Sequence, residues 1–586
     1  MTIFQYGQAA PVIPGIAVAI VPPQTNFLSP AQTDILGIVG TATWGPVNMA
    51  TPVAGAADYP SKFGQPQNRL YDMGLSVNFA TLQGAQNDRC VRVTDGTDTA
   101  ATGKLGLTGA PTLVAAGTGF AANDTVTFPN GAVIKVLTVT GGVISTFSVV
   151  TQPTATTAGT LAQTAASGSG TGASFSFAYA YGALATSKYT GSGANTDTVT
   201  IAAGNAVGTW KVTVFRQGVP AEVFNNLGAG LSGAPLWAAI VAAVNNGSSA
   251  TRGPSNLVIL TVGTSTAAPV AGTITLAGGT DGATTITSAI LIGSDATGAR
   301  TGMYALRKSG ASVGMLADCS DSTTWTVQAA FALSEGLEMI TCGPAGDTIT
   351  NATTVKASAG VDTYGLKILF GDWIIANSPT TGAQILVNPA AFAAGWIAAN
   401  RPQLSPLNKP LFGIVGTQKA LTNTSYQADE LALLQAAGID VIMNPSPGGN
   451  YFSCAFGHNC SSNPAIRGDN YTRMTNFIAA TISAGLGGFI GQLQTPGVQA
   501  QAKATLDAYF SNLWTASPPA IGSSDPTVTP WLVVLNSSNN PQSQVSLGKM
   551  LAQVKVIFLS VIEEFEVDVE GGQTVQITRT STTSAQ

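Results

Sequence analysis

YQADELALLQAAGIDVIM, residues 426–443, decides the reading of the fold. Leu431 and Leu434 are spaced to share one face of a helix running from Tyr426 to Ala437. Gly438 closes that helix, and residues 439–443 read as a strand. A helix that ends on glycine and passes straight into an apolar strand implies a largely parallel, doubly wound sheet. Outward from this point, residues 313–316, 337–340, 367–370 and 411–415 supply further strands, so 283–480 reads as α/β. A second stretch of the same kind covers 34–100. Residues 35–39 form a buried strand, Gly45-Pro46 turns the chain, and Asp72 caps a helix carrying Met73, Val77, Ala80 and Leu82. Cys90-Val91-Arg92-Val93 is the next strand.

Between these stretches the composition changes. Residues 103–185 are rich in Thr and Gly, and runs such as 125–128, 133–139 and 147–150 are bounded by Gly-Asn or Gly-Gly turns. They read as an inserted all-β domain. Residues 186–282 read as a second, α+β insertion with strands at 199–201, 210–215 and 257–262 and a helix at 236–244. The expected organisation is therefore an N-terminal arm (1–24), a core in two parts (25–102 and 283–480), two insertions, a C-terminal domain (481–570) and a C-terminal arm (571–586).

Both arms read as extended. Pro11, Pro14, Pro22 and Pro23 exclude a helix at the start. There Ile16, Val18 and Ile20 alternate with Ala17, Ala19 and Val21 in a short strand, apolar on both faces and without a local partner. At the other end, residues 495–516 form a helix capped by Thr495. Strands are expected at 549–558 and 565–569, the second with Glu564, Glu566, Asp568 and Glu570 on one face. Gly571-Gly572 then hinges to Val575 and Ile577. Pro22-Pro23 is the matching hinge of the first arm.

Composition excludes several function classes. Only 9% of the 586 residues are charged, against 45% hydrophobic, where about 25% charged is usual. A polar but uncharged surface offers little repulsion between copies, which suits life in an assembly. The net charge of −5 and the lack of a basic cluster argue against direct contact with nucleic acid. No Lys or Arg precedes Lys62, so a secretory leader is not expected. The uncharged run 477–493 is interrupted by glycines and short of the about 20 residues of a spanning helix, so it reads as a buried segment without membrane insertion. Five scattered cysteines make no disulfide framework and fit synthesis in a reducing cytoplasm.

Several stretches resemble one family. Ile35-Leu-Gly-Ile-Val-Gly-Thr-Ala-Thr-Trp-Gly-Pro-Val-Asn48 is similar to the opening motif of contractile phage tail sheath proteins. Lys62-Phe63-Gly64, the Val-Arg-Val strand ending at Val93, and Gly278-Gly279-Thr280-Asp281-Gly282 resemble further family motifs in the same order. So do Ala437-Gly438-Ile439-Asp440 and the stretch from Asn539-Asn540-Pro541 through Gly548-Lys549 to Glu564-Phe565. Pro14-Gly15-Ile16 fits the family's start, although the acids that usually follow are absent. The resemblance implies an α/β core likened to subtilisin-type sheets without protease activity, with inserted β-rich domains facing outward and exchanged terminal strands. It implies a structural subunit that polymerises as a helical sleeve around a tail tube protein. The sleeve meets baseplate and tail terminator proteins, and contracts to drive the tube through a host envelope for genome delivery. Its place would be the virion tail, after synthesis in the host bacterial cytoplasm. The competing reading is a secreted β-rich surface-layer or adhesin protein, which low charge and abundant Thr and Gly would also suit.

No catalytic residue, metal or cofactor is expected. Gly310-Ala-Ser312-Val-Gly314 matches the nucleophile-elbow pattern, but the chain has a single histidine, His458, and the pattern arises easily among many glycines and serines. Cys454, His458 and Cys460 lie close together. They lack a fourth ligand and the Cys-x-x-Cys spacing of a zinc site, leaving open a metal, a disulfide in released virions, or free thiols. The acidic face at 564–570 has two readings. It is either a solvated strand that blunts a sheet edge or an electrostatic contact to a neighbouring subunit or the tube.

Overall fold

The computed structural model describes residues 2–5, 17–20, 28–421, 425–525, 527–567 and 569. Six strands form the central sheet: β1 (Leu36–Gly40), β2 (Thr51–Val53), β3 (Asp88–Arg92), β4 (Val313–Leu316), β5 (Glu338–Cys342) and β6 (Leu366–Leu369). Their spatial order is β6-β5-β4-β1-β3-β2, and every pairing is parallel except that of β2 with β3. The side-chain period of two sends alternate residues to opposite faces. Leu36, Ile38, Val313, Met315 and Ile340 face the helices Met73–Leu82 and Ala390–Ala399, whose Phe79 and Phe392 rings stack at 5.1 Å. Val39, Val91, Leu316, Met339 and Ile368 face the helices Trp325–Glu335, Ile349–Ala359 and Ala428–Ala436. Both faces are covered, as a parallel sheet requires.

Local signals work as the sequence implies. Asp72 accepts the Leu75 N–H at 3.2 Å and starts its helix. Gly438, at φ 69°, turns the chain out of Ala428–Ala436 in a conformation that only glycine adopts without strain. The strand expected at 439–443 shortens to Ile442–Met443, with Asp440 bridging Leu369 alone.

The insertions are nested, where two consecutive units were expected. Thr102–Leu105 pairs with Ala183–Ser187, which pairs with Val258–Val262, so a boundary at 185 would cut through a strand. This unit also holds the four-stranded sheet Glu222–Leu227, Trp210–Phe215, Thr198–Ala203, Gly272–Thr275 and the helix Gly233–Asn246, packed through Leu236, Trp237, Ile240 and Val244. Inside it, residues 108–180 form a separate sandwich of a four-stranded and a three-stranded sheet around Phe120, Phe128, Val136 and Phe175. The sandwich begins and ends on neighbours, since Thr108 pairs with Ala180.

The larger insertion is locked to the core by three of the motifs noted above. Arg92, fully buried, donates to the Gly45 carbonyl at 2.9 Å, the Thr190 carbonyl at 2.7 Å and the Asp281 carbonyl at 3.0 Å. The Asp281 carboxylate accepts from Arg69 at 2.6 Å and from the Ser192 N–H at 2.7 Å. Trp44 donates to Ser187 at 2.9 Å, and the Arg216 guanidinium, paired with Asp197, lies 3.7 Å from the Trp44 ring centre. Hydrogen bonds to charged groups contribute about 1.5–3 kcal/mol each, so the insertion is a docked unit.

The N-terminal arm differs from expectation. Ala17–Ile20, which includes Val18 and Ile20, pairs in parallel with Thr2–Gln5, so its partner lies within the arm. Ile16, Pro22 and Pro23 lie outside the described residues.

Because the sandwich enters and leaves on paired residues, replacing 108–180 with a short Gly/Ser linker should leave the rest folded. Thermal denaturation should then show loss of one transition with the remaining melting temperature unchanged to within about 3 °C. Collapse of all structure would show that the sandwich supports the core.

Candidate functional site

A distinct C-terminal unit sits on the edge of the sheet. It consists of the helices Asp469–Gly485 and Pro496–Thr515 and the antiparallel hairpin of Trp531–Val534 with Gln553–Val556. Thr495 caps the second helix by accepting the Val498 N–H at 3.2 Å, and Pro496 fits its first turn. Met474, Ile478, Leu506, Phe510, Ile521 and Val533 form the core, joined by Leu28 from the start of the chain. Among the described residues the hairpin is a sheet of only two strands, so both its outer edges carry unpaired backbone groups. A groove of about 530 Å³ runs between the first helix and one of these edges, lined by Tyr471, Ile478, Ile482, Val554, Val556 and Phe558.

The unit is fixed to the sheet by a buried charge cluster. The Lys367 ammonium of β6 donates to Asp440 at 2.6 Å, to Asp469 at 2.8 Å and to the His458 carbonyl at 2.9 Å. Lys367, Asp440, Asp469 and Glu338 are all fully or almost fully buried. Arg473, one turn along the helix from Asp469, donates to the carbonyls of Ile397 and of Thr33, the latter at 2.6 Å. Burial disfavours the charge on Lys367, but Asp440 and Asp469 outweigh it and hold its pKa above the ordinary value. Burial likewise works against Asp440; Lys367 and the N–H groups of Val441, Phe456 and Gly457 prevail and keep it below the usual range. Burial and then the Asp469 charge push Glu338 well above the carboxyl range. Burial raises Asp469 too, against the pull of Lys367.

Sequence reasoning missed this cluster. The signal was present: in a chain so poor in charge, Glu338, Lys367 and Asp440 each stand inside an apolar run.

His458 and Glu563 meet at the surface end of the cluster. The imidazole Nε2 lies 3.0 Å from Glu563 Oε1, and Arg467 donates to Glu563 Oε2 at 2.6 Å. Burial works against the Glu563 charge, but His458 and Arg467 together keep the carboxyl below its usual range. Cys454 and Cys460 are buried free thiols, the second donating to the Thr363 carbonyl at 3.3 Å. No group of three or more metal-ligating side chains occurs among the described residues. Ser312 Oγ donates to the Thr33 carbonyl at 2.6 Å, so the elbow pattern and the single histidine are engaged with different partners.

The strand expected at 565–569 is replaced by unpaired backbone over 561–567. Glu564 and Glu566 are exposed there, and so are Phe565 and Val567, so the expected separation into an acidic and an apolar face is absent. Asp568, Glu570, Gly571, Gly572, Val575 and Ile577 lie outside the described residues. The run 477–493, expected to be buried throughout, is buried only in part: Ile490 and Leu493 are 84% and 85% exposed. No described helix is long and apolar enough to cross a membrane.

No family model matches the sequence, and no curated protein matches it. Solved structures do. A sheath tail protein from Listeria innocua aligns over 91% of this chain and 96% of its own, at 13% identity and a TM-score of 0.50. One from Desulfitobacterium hafniense aligns over 89% and 94%, at 13% identity and a TM-score of 0.49. The helical sheath of the anti-feeding prophage in its contracted state aligns over 44% and 70%, at 17% identity and a TM-score of 0.37. The chain thus has the mixed α/β fold of a sheath tail protein.

Two substitutions check the cluster. Lys367→Met leaves Asp440 and Asp469 buried without a counter-ion and should cost about 3–5 kcal/mol in chemical denaturation. Glu338→Gln should do the opposite in a pH-dependent way. Glu338 stays protonated when folded but ionises in the unfolded chain above its ordinary value of 4.5, so wild-type stability falls as pH rises beyond that point. The Gln variant lacks this loss, and its stability advantage should widen from pH 5 to pH 8; a constant difference would refute the assignment.

Proposed function

We infer that this chain is the sheath subunit of a contractile tail, a structural polymer and not an enzyme. The observation that carries the reading is a fold shared with a sheath tail protein over more than nine-tenths of both chains. The sequence motifs at both ends of the chain support it independently. The core then corresponds to the family's subtilisin-type sheet without protease chemistry, and the nested insertions face outward.

Polymerisation works by exchange of terminal strands. The hairpin of Trp531–Val534 and Gln553–Val556 has open edges and a groove beside one of them, the form that accepts an added strand. The arm strands bearing Ile16, Val18 and Ile20, and Val575 and Ile577, are the segments donated to neighbouring copies. In the donated state the arm leaves its own Thr2–Gln5 partner. Each buried isoleucine or valine contributes about 1.5–3 kcal/mol, against about 1–2 kcal/mol per residue for ordering the backbone. A single arm therefore binds weakly, and several links per subunit hold the lattice. Pro22-Pro23 and Gly571-Gly572 serve as hinges. The acids Glu564, Glu566, Asp568 and Glu570 face a neighbour or the tube. The sleeve surrounds a tail tube protein between baseplate and terminator proteins. Its contraction, driven by energy stored in the lattice, pushes the tube through the host envelope for genome delivery. The subunit is made in the host cytoplasm and resides in the virion tail.

Negative-stain microscopy of the purified chain tests the reading. Tubes or striated sleeves are expected; a planar lattice would favour the surface-layer alternative. Deleting residues 1–22 or 571–586 should leave a folded, soluble monomer that builds no sleeve, and normal sleeves from both truncations would reject strand exchange.

A further inference from the structure

We propose that Phe565 of one copy docks into an apolar cup at the far end of the C-terminal unit of a second copy. This rests on the reading of the chain as a polymerising subunit, and it names a contact distinct from the exchanged strands.

The cup encloses about 460 Å³ between Leu486, Phe489, Leu493, Val498, Leu535 and Met550. Its surroundings are unusually apolar for a surface: Ile490, Leu493 and Leu547 are 84%, 85% and 67% exposed, and no charged residue occurs between Arg473 and Lys503. Patches of this kind mark interaction sites. A cavity of about 150 Å³ holds a benzene ring, so this one has room for an aromatic side chain and its aliphatic neighbours. The chain offers such a knob. Phe565 is 81% exposed, with Ile562 and Val567 beside it at 74% and 63%.

Geometry requires that knob and cup come from different molecules. Glu563 is pinned by His458 and Arg467 beside Gly468 and Asn470, at the beginning of the helix Asp469–Gly485. The cup starts at Leu486, just past the end of that helix. Seventeen helical residues separate the two by about 25 Å. Phe565 is two residues beyond the pin, and an extended chain gains only about 3.3–3.6 Å per residue. It reaches about 7 Å, far short of its own cup. Charge matches as well. Lys549, on the cup's rim between Gly548 and Met550, is exposed and makes no ion pair among the described residues, while Glu564 and Glu566 flank Phe565. Knob and cup are different patches, so the contact is heterologous and propagates into a ring or an open helix instead of closing a two-fold dimer.

Cross-linking in trans tests this. The full chain is prepared as two variants, Val567→Cys, which leaves Phe565 in place, and Leu493→Cys; the five native thiols are buried and contribute no background. Under mild oxidation the mixture should give a disulfide-linked species of twice the chain mass containing both variants. Absence of that species from the mixture, or a link formed only within single chains of a double variant, would overturn the proposal. Independently, Phe565→Asp should abolish self-association with a melting temperature unchanged to within about 2 °C, because exposed substitutions rarely alter stability, and Phe565→Leu should retain it. Wild-type-like sleeves from Phe565→Asp would reject the docking while leaving the sheath reading intact. If the wild-type chain forms no sleeves while the two cysteine variants still cross-link to each other, the sheath reading alone is rejected.

Discussion

The structure depends on an ammonium group held out of water between two carboxylates. Lys367 projects from the edge strand of the sheet, Asp440 follows the glycine that ends a helix, and Asp469 opens the long helix of the C-terminal unit. Sheet, connecting loop and outer unit therefore share one charge. Apolar contacts tolerate sliding, whereas this arrangement has one satisfactory geometry, because any shift leaves a buried charge uncompensated. That gives the C-terminal unit, with its open-edged hairpin, a defined orientation on the body that carries it.

The chain's scarcity of charge makes the placement of the charges it has informative. Arg92, Arg216, Lys367 and Arg473 are all buried, and each joins segments far apart in sequence. Arg92 ties the opening motif to the close of the insertion, and Arg216 braces the insertion against Trp44. Lys367 and Arg473 tie the C-terminal unit to the sheet and to the segment preceding β1. The solvent-facing surface is left largely to Thr, Ser, Asn and Gly, and among the described residues uncovered large apolar side chains are densest in the last hundred positions.

Legibility in the sequence followed periodicity and punctuation. Strand β4, the helix capped by Asp72 and the one capped by Thr495 were readable, because each has a clear apolar run or a capping residue. The helix Ala390–Ala399 was not, since nine of its ten residues are buried and no face contrasts with another. Trp531–Val534 escaped because four residues between turns carry no pattern of their own; only its pairing with Gln553–Val556 makes it a strand. The nesting of the insertions was invisible because it depends on Thr102–Leu105 meeting Ala183–Ser187 across another domain. The ion cluster depends on five residues spread over more than a hundred positions, and no local spacing announces it.

The nested architecture also has a consequence in time. Leu36 of β1 pairs with Val313 of β4, so 277 residues (313 − 36) separate the partners at the centre of the sheet. At about 5–20 residues per second, a ribosome needs roughly 14–55 s to supply the second after the first. During that interval β1 can pair only with β3 and β2 beyond it, and the β4 side of Leu36, Ile38 and Val39 stays open. The insertions, each with its own core, can finish first. Once Thr99 pairs with Thr280, the open span between β1 and β4 shrinks to about 96 residues, 63 before the junction and 33 after it. By the logarithmic law of ring closure this lowers the entropic cost of bringing the strands together by about 1 kcal/mol. Folding of the appendage thus shortens the search by which the core it interrupts is completed.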